Sequence, residues 1–203
     1  MEVKTHWEKV YKAKAPDAVS CYLPHLETSL ALIERTGASL SSCILDVGGG
    51  ESTLADDLVS RGYQNITVLD ISETAVKVSK QRMGEAANHV HWLVADVLAT
   101  ELAPRAYVCH DQGRISFSDD HGATNRLRSN VARSVKRGGQ VIVSTFGPEG
   151  PRKCSGLEVM RYDADSLHDQ FGARFRLIES SQELHETPQG AMQQFLYCYC
   201  RVE

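Results

Sequence analysis

Three acidic residues and a run of glycines have the types and the spacing needed to bind a polar ligand. Asp46 ends the apolar run ILD, and glycines occupy positions 48–50. Glycine permits a tight turn and a close approach of ligand to backbone, while free amides at the start of a following helix favour a carboxylate or phosphate. Asp70 and Asp96 end the next two apolar runs. Carboxylates at strand ends accept hydrogen bonds from a ribose diol or an adenine amino group, so the pattern predicts a nucleoside site.

Two common nucleotide-binding patterns are incomplete in this chain. The segment 48–53 reads GGGEST and lacks the last glycine of G-x-G-x-x-G, which is typical of dinucleotide binding. No Gly-Lys-Ser/Thr sequence is present, as a phosphate-binding loop would require. An NAD-dependent oxidoreductase therefore remains only an alternative hypothesis, and a separate substrate domain is not evident either.

Alternating apolar runs and amphipathic segments provide the elements that must position these residues. Strands are predicted at 43–47, 66–70, 90–96, 106–111, 140–146, 174–183 and 192–201. Helices are predicted at 53–62, after Ser72, at 120–137 with the glycines 138–139 as its end, and at 163–171. This alternation predicts an α/β fold: a Rossmann-like, doubly wound, mostly parallel seven-stranded sheet with an antiparallel terminal strand. One domain, 1–203, is expected, with a helical N-terminal cover over 1–40 and the core over 41–203.

The composition argues against nucleic-acid and membrane partners. The formal net charge is −4, and no apolar run approaches the roughly 20 residues of a membrane span. A basic group at helical spacing is interpreted as a solvated helix face: Arg126, Arg128, Arg133, Lys136 and Arg137. The N-terminus lacks the apolar stretch of a signal peptide, so a cytoplasmic protein is expected. The six cysteines include no C-x-x-C pair and are interpreted as reduced thiols, without a metal site. Nothing in the sequence indicates an oligomeric state.

The glycine turn with its acids resembles the D-x-G-x-G motif of class I S-adenosylmethionine-dependent methyltransferases. The resemblance implies S-adenosyl-L-methionine as cofactor. It places Asp46 with the glycines Gly48, Gly49 and Gly50 at the amino-acid moiety. It places Asp70 at the ribose, Ile71 at the adenine ring, and Asp96 with Val97 at the adenine edge.

Further segments, among them HWEKVY, LDIS, GGQVIVSTF, RYDADSL and HETPQG, resemble a bacterial group of small methyltransferases akin to certain protein-lysine methyltransferases. By that resemblance, aromatic side chains of the N-terminal cover close over the cofactor, which makes Trp7, Tyr11 and Tyr22 candidates. Tyr22 is assigned to the acceptor, together with Cys154 and Tyr162. Simple packing is the alternative for each of these side chains.

His110 and Asp111 end the fourth strand, at the usual edge of the methyl-transfer site. Both are candidates for orienting the acceptor or accepting its proton, and His110 is also a candidate cofactor contact. The chain departs from the group here, with CHDQGRISF where the group tends to read WHDRAVFHF, and with Ser20-Cys21-Tyr22 in place of S-W-Y. These departures leave the acceptor open: a small molecule or a protein side chain.

Two alternatives follow from the same departures. Cys21, Cys109 and Cys154 all belong to segments expected at the methyl site, and three gathered thiols would suit a metalloid acceptor. A degenerate domain that binds the cofactor, or a partner protein, without turnover is the non-enzymatic alternative.

Overall fold

A computed structural model describes residues 3–103, 105–113 and 121–203, and the apolar runs form one seven-stranded sheet in it. In chain order the strands are β1 (Cys43–Val47), β2 (Asn65–Asp70), β3 (Val90–Val94), β4 (Ala106–Gln112), β5 (Val135–Phe146), β6 (Lys153–Cys154), β7 (Leu157–Glu158), β8 (Phe175–Glu186) and β9 (Met192–Val202). The large sheet has the order β3-β2-β1-β4-β5-β9-β8, and β6 and β7 form a separate small hairpin. Strands β1 to β5 are parallel, whereas β9 runs antiparallel to both of its neighbours. The predicted fold class is confirmed.

Six α-helices are described: α1 (Val3–Ala13), α2 (Glu27–Arg35), α3 (Leu54–Ser60), α4 (Glu73–Met83), α5 (His121–Ser134) and α6 (Ala164–Asp169). Short 3-10 turns cover Pro16–Ala18 and Gly84–His89. Ser72 caps α4 by accepting a hydrogen bond from the Ala75 amide, as predicted. Within the described ranges, no helix has the length and apolar character needed to span a membrane.

The predicted end of the fifth helix is wrong. Helix α5 stops at Ser134 instead of at the glycine pair, because Val135 is buried and already pairs with Ala106 of β4. Gly138 then takes a φ of 79°, next to a register shift between β4 and β5. Lys136 and Arg137 consequently lie on a strand, so the basic residues do not share one helical face.

Strand alternation divides the core between the two faces of the sheet. Leu45 and Val47 of β1 pack with residues of α5 and α6, whereas Ile44 packs with α2 and α3. Cys198 and Cys200 both lie on the α5 side, as their spacing on a strand requires. Because helices cover both faces, the polar groups at the carboxyl ends of β1 to β4 form the open edge of the sheet.

Helix α1 is anchored to the amino terminus of α4 by one carboxylate. Glu8 Oε1 accepts hydrogen bonds from the Glu73 amide at 2.6 Å and the Ser72 hydroxyl at 3.1 Å, and Oε2 accepts one from the Thr74 hydroxyl. Partial burial raises the pKa of Glu8, but the hydrogen bonds from Thr74, Glu73 and Ser72 outweigh it and hold the pKa below its usual range. The carboxylate also lies at the positive end of the α4 dipole.

Replacing this anchor should loosen α1. We expect Glu8→Gln to lower the free energy of unfolding by about 1 kcal/mol and to speed hydrogen exchange in α1, because α4 loses a charged cap. Since folding lowers the pKa, this contribution is present above the ordinary value of 4.5 and lost as the pH falls through the lower folded value. Urea denaturation against pH measures it, with the exposed Glu101→Gln as control. Equal losses in both variants would contradict the anchoring role.

Candidate active site

A deep cavity opens at the carboxyl ends of β1 to β4, beneath α1. The empty space between its walls, counted together with the open solvent at its mouth, is about 1230 Å³. The side chains and backbone at its wall come from four places: the glycine turn after β1, the ends of β2 to β5, the segment 7–26, and residues 154, 155 and 195. All residues of this cavity that are named below belong to the described part of the chain.

The turn after β1 needs glycine for steric reasons. Gly48 has a φ of 73° and Gly50 a φ of 27°, both in the left-handed region. A side-chain carbon at Gly49 would lie 2.3 Å from Asp46 Oδ2 and 2.9 Å from Val68 Cγ1, which is impossible without a shift of both. The turn is therefore shaped so that its backbone faces the cavity without any intervening side chain.

Helix α4 holds this turn from the side, a contact that the sequence pattern did not reveal. The Ser79 hydroxyl donates to the Gly50 carbonyl at 2.7 Å, and Ser79 is fully buried. Arg82 donates to the carbonyls of Glu51 at 2.9 Å and Ser52 at 2.7 Å while it pairs with Asp56. Both donors come from one face of α4, so the position of the turn depends on the packing of that helix.

Asp70 and Asp96 lie where the nucleoside was predicted. Asp70 Oδ1 accepts the Ser72 amide at 2.8 Å, and a side-chain carbon at Gly50 would lie 2.9 Å from Asp70 Oδ2, which therefore faces the turn. Asp96 Oδ1 accepts the Leu98 amide at 2.9 Å. Both carboxylates line the cavity together with Ile71 and Val97. A cradle of bare backbone flanked by two oriented carboxylates fits a ribose and an adenine.

Asp46 and His110 face each other behind the cavity wall and do not line it. His110 Nδ1 donates to Asp46 Oδ1 at 2.8 Å, and His110 Nε2 contacts the Ser29 hydroxyl at 2.9 Å. Exposure is 0% for His110 and 1% for Asp46. Asp46 Oδ2 packs against Gly49 without a hydrogen-bond partner. The two side chains engage each other, so neither belongs to the cavity lining, and the contacts predicted for Asp46 with the amino-acid moiety and for His110 with cofactor or acceptor stay predictions.

The polar chain continues from Ser29 toward the far edge of the sheet. Side-chain hydrogen bonds join Tyr197 to Ser29, Ser144 and Glu183. Burial and then the Glu183 carboxylate raise the pKa of Tyr197, so its hydroxyl stays protonated and can donate. The chain thereby links β1, β4, α2, β9 and β8 through hydrogen bonds inside the apolar layer.

Two further predicted residues lie away from the cavity. Asp111 is 1% exposed and lies on β4, between β1 and β5, and Tyr162 packs in the core on the α5 side. Neither residue belongs to the cavity lining, and the acceptor contacts predicted for them stay predictions. Neighbouring residues of a strand point to opposite faces of the sheet, so Gln112 reaches the cavity and Asp111 does not.

The aromatic side chains of the N-terminal cover do line the cavity, as predicted for Trp7, Tyr11 and Tyr22. Trp7 and Tyr11 lie against each other with ring centroids 5.8 Å apart. The Tyr11 hydroxyl reaches 3.1 Å from the position of a side-chain carbon at Gly50. Burial, and then the charge of Asp70, raise the pKa of Tyr11 well above its usual value. Tyr11 therefore closes the cavity as a neutral hydrogen-bonding group.

The cavity lining also includes apolar side chains and two thiols. Phe146, Phe195 and Tyr22 line the cavity together with Cys21 and Cys154. Cys21 is exposed as a residue, but its thiol lies in the cavity, where desolvation followed by the neighbouring Cys154 raises its pKa to about 12. Burial also raises the pKa of Cys154. Both thiols are thus protonated at neutral pH and act as small apolar groups.

The three-thiol hypothesis is wrong. Cys109 lies in the core on the α5 side, away from Cys21 and Cys154. Within residues 3–103, 105–113 and 121–203, no group of three His, Cys, Asp or Glu side chains could hold a metal ion. The altered segment 114–117 lies outside the described residues, so the effect of those departures on the acceptor side stays a prediction.

The comparisons with known proteins agree with this geometry. Residues 44–139 match a family model described as a methyltransferase domain. The chain is 28% identical over 144 residues to the mouse eEF1A lysine and N-terminal methyltransferase. The matched region covers 68% of this chain and 20% of that protein. It is 32% identical over 116 residues to a ubiquinone biosynthesis O-methyltransferase of Nitrosomonas europaea, covering 56% of this chain and 47% of the relative. The chain spans about a fifth of the length of the first curated relatives.

Solved structures show the same fold at low identity. The N-methyltransferase NodS of Bradyrhizobium japonicum in complex with S-adenosylhomocysteine superposes with a TM-score of 0.69 at 15% identity, covering 87% of this chain and 86% of that chain. A methyltransferase from Anabaena variabilis reaches 0.76 at 11% identity, covering 100% and 96%. In fold, domain match and cavity, the chain resembles class I S-adenosylmethionine-dependent methyltransferases, whose cofactor is S-adenosylmethionine.

The buried pair predicts that His110 acts on stability. We expect His110→Leu to lower the free energy of unfolding by about 3 to 5 kcal/mol, because Asp46 is left buried without its partner. Adding Asp46→Asn should recover part of that loss, since no buried charge then remains. Urea denaturation measures both, with the exposed His91→Leu as control. A His110→Leu protein of unchanged stability that has lost methyl transfer would show instead that the imidazole contacts the acceptor.

The position of Asp70 predicts a role in cofactor binding. Asp70→Ala should weaken the binding of S-adenosylhomocysteine by about 10- to 100-fold, the loss expected for charge-assisted hydrogen bonds. Isothermal titration calorimetry measures the affinity. The exposed Asp169→Ala, at the end of α6, controls for loss of a negative charge. Equal affinities of Asp70→Ala and the wild type would contradict the assignment.

Proposed function

We propose that this chain transfers the methyl group of S-adenosylmethionine to an amine nitrogen, carried by a protein side chain or a small molecule. The observation that carries the proposal is the mixed character of the cavity lining. It presents backbone and carboxylates around the glycine turn, and it presents aromatic side chains with a single uncharged amide, Gln112. The first set of groups suits the cofactor, and the second set suits an uncharged nucleophile.

The apolar side chains of the lining would favour the reactive form of an amine. An apolar environment disfavours the ammonium form and lowers the amine pKa, so the nitrogen enters with its lone pair free. Gln112 Oε1 is buried and has no hydrogen-bond partner, and it can accept an N–H of the incoming amine. Among the described residues, no lysine, arginine or histidine belongs to the cavity lining.

The cofactor, when bound, supplies an electrophilic methyl group on a sulfonium. The residues of the chain contribute position and the exclusion of water. Trp7, Tyr11, Phe146 and Phe195 line the cavity, and Gln112 lines it from the end of β4. Positioning of this kind supplies a large part of the rate when the chemistry is a simple in-line displacement.

The curated relatives named as lysine methyltransferases support an amine acceptor, while the O-methyltransferase of Nitrosomonas europaea represents the alternative of an oxygen acceptor. A cytoplasmic location remains a prediction. It accords with six cysteines that are all unpaired in the structure.

Gln112 provides the test of the acceptor class. With radiolabelled S-adenosylmethionine and a cell extract, we expect label on nitrogen, stable to mild base, and loss of labelling in Asp70→Ala. Gln112→Leu should reduce turnover by about 10-fold while S-adenosylhomocysteine binds normally, because one hydrogen bond to the acceptor is lost. The exposed Gln64→Leu serves as control.

Two results would contradict the proposal. Label located by mass spectrometry on an oxygen atom, as a base-labile ester or a base-stable ether, would indicate an oxygen acceptor. Good binding of S-adenosylhomocysteine with no label transferred to any extract component would indicate the non-catalytic module.

A further inference from the structure

A buried carboxylate in the cofactor cavity has no hydrogen-bond partner. Glu51 follows the glycine turn directly, lines the cavity and is 5% exposed. Neither Oε1 nor Oε2 has a hydrogen-bond partner. Arg82, the nearby cation, donates to the Glu51 carbonyl and pairs with Asp56, so it does not bond to the Glu51 carboxylate. A buried charge of this kind is costly unless a ligand completes it.

The expected partner of the cofactor's amino group is absent from the cavity. The resemblance placed Asp46 at the amino-acid moiety, but Asp46 Oδ1 is engaged by His110, and Oδ2 lies behind Gly49. Asp70 and Asp96 stand at the ribose and adenine positions at the ends of β2 and β3. Among the carboxylates of the described cavity lining, this leaves Glu51, beside the turn over which the amino-acid moiety lies.

We infer that Glu51 holds the α-ammonium group of the cofactor and so replaces Asp46 in that role. The inference rests on the proposed function, because it assigns a residue of the same cofactor site. An ammonium group offers three N–H donors and a positive charge, and Glu51 offers two acceptor oxygens and a negative charge. The Tyr11 hydroxyl, a neutral group, covers this region from α1.

The ionisation of Glu51 supports this assignment. Burial, partly offset by Arg82 and reinforced by Asp70, raises the pKa of Glu51 from an ordinary 4.5 to about 7. The protein without ligand therefore carries a proton on Glu51 at mildly acidic pH. A bound ammonium favours the ionised form, so binding of the amino-acid moiety should release a proton below about pH 7 and should strengthen as the pH rises toward 8.

Two nucleosides separate this role from general cofactor binding. S-Adenosylhomocysteine carries the ammonium group, whereas 5′-methylthioadenosine has the same nucleoside and thioether but lacks the amino-acid moiety. We expect Glu51→Gln to weaken S-adenosylhomocysteine by about 10- to 100-fold at pH 8 and to leave 5′-methylthioadenosine unchanged. The variant should also lose the pH dependence of S-adenosylhomocysteine affinity between pH 6 and 8.

The controls distinguish a failure of the Glu51 assignment from a failure of the proposed function. Asp70→Asn should weaken both nucleosides, and the exposed Glu85→Gln should weaken neither. Thermal denaturation at pH 8 verifies folding, and Glu51→Gln should be at least as stable as the wild type because it removes an unpaired buried charge. Wild-type affinity of Glu51→Gln for S-adenosylhomocysteine would overturn the inference and leave the proposed function intact. Failure of the wild type to bind either nucleoside would overturn the proposed function itself.

Discussion

The buried contact between Asp46 and His110 determines where β1 ends and the glycine turn begins. The two residues are 64 positions apart in the chain but are register partners on adjacent parallel strands. The contact joins β1 to β4, reaches α2 through Ser29, and leaves the second oxygen of Asp46 against Gly49. A buried ionisable pair needs good geometry to offset its desolvation, and this requirement restrains the strand ends and the turn together.

The position of the glycine turn determines what the cavity can recognise. With Asp46 directed into the sheet, the negative charges that face the ligand are those of Glu51, Asp70 and Asp96. The rest of the lining includes aromatic side chains and thiols that burial keeps protonated. A lining with both polar and apolar groups can bind a charged donor beside an uncharged nucleophile without placing either in the wrong environment.

Helix α4 connects the turn to the cover above it. Its amino terminus holds α1 through Glu8, and one face of the same helix holds the turn through Ser79 and Arg82. Aromatic side chains of α1 are thereby placed over the same nucleoside-binding edge that α4 stabilises from the side. A change in the packing of α4 would move both the glycine turn and the aromatic side chains of α1 that line the cofactor cavity.

The sequence alone determined the sheet, the glycine turn, Asp70, Asp96 and the aromatic cover, because each depends on a local pattern: strand periodicity, glycine sterics, or a polar residue directly after an apolar run. Its expectation for the end of α5 failed, since the glycine pair 138–139 is also compatible with an irregular strand once Val135 can pair with β4. Only the tertiary structure decided that Asp46 turns toward His110, that Gln112 instead of Asp111 reaches the cavity, and that Glu51 stands there unpaired. These outcomes depend on partners dozens of residues away and on strand alternation at one position, and a local pattern contains neither.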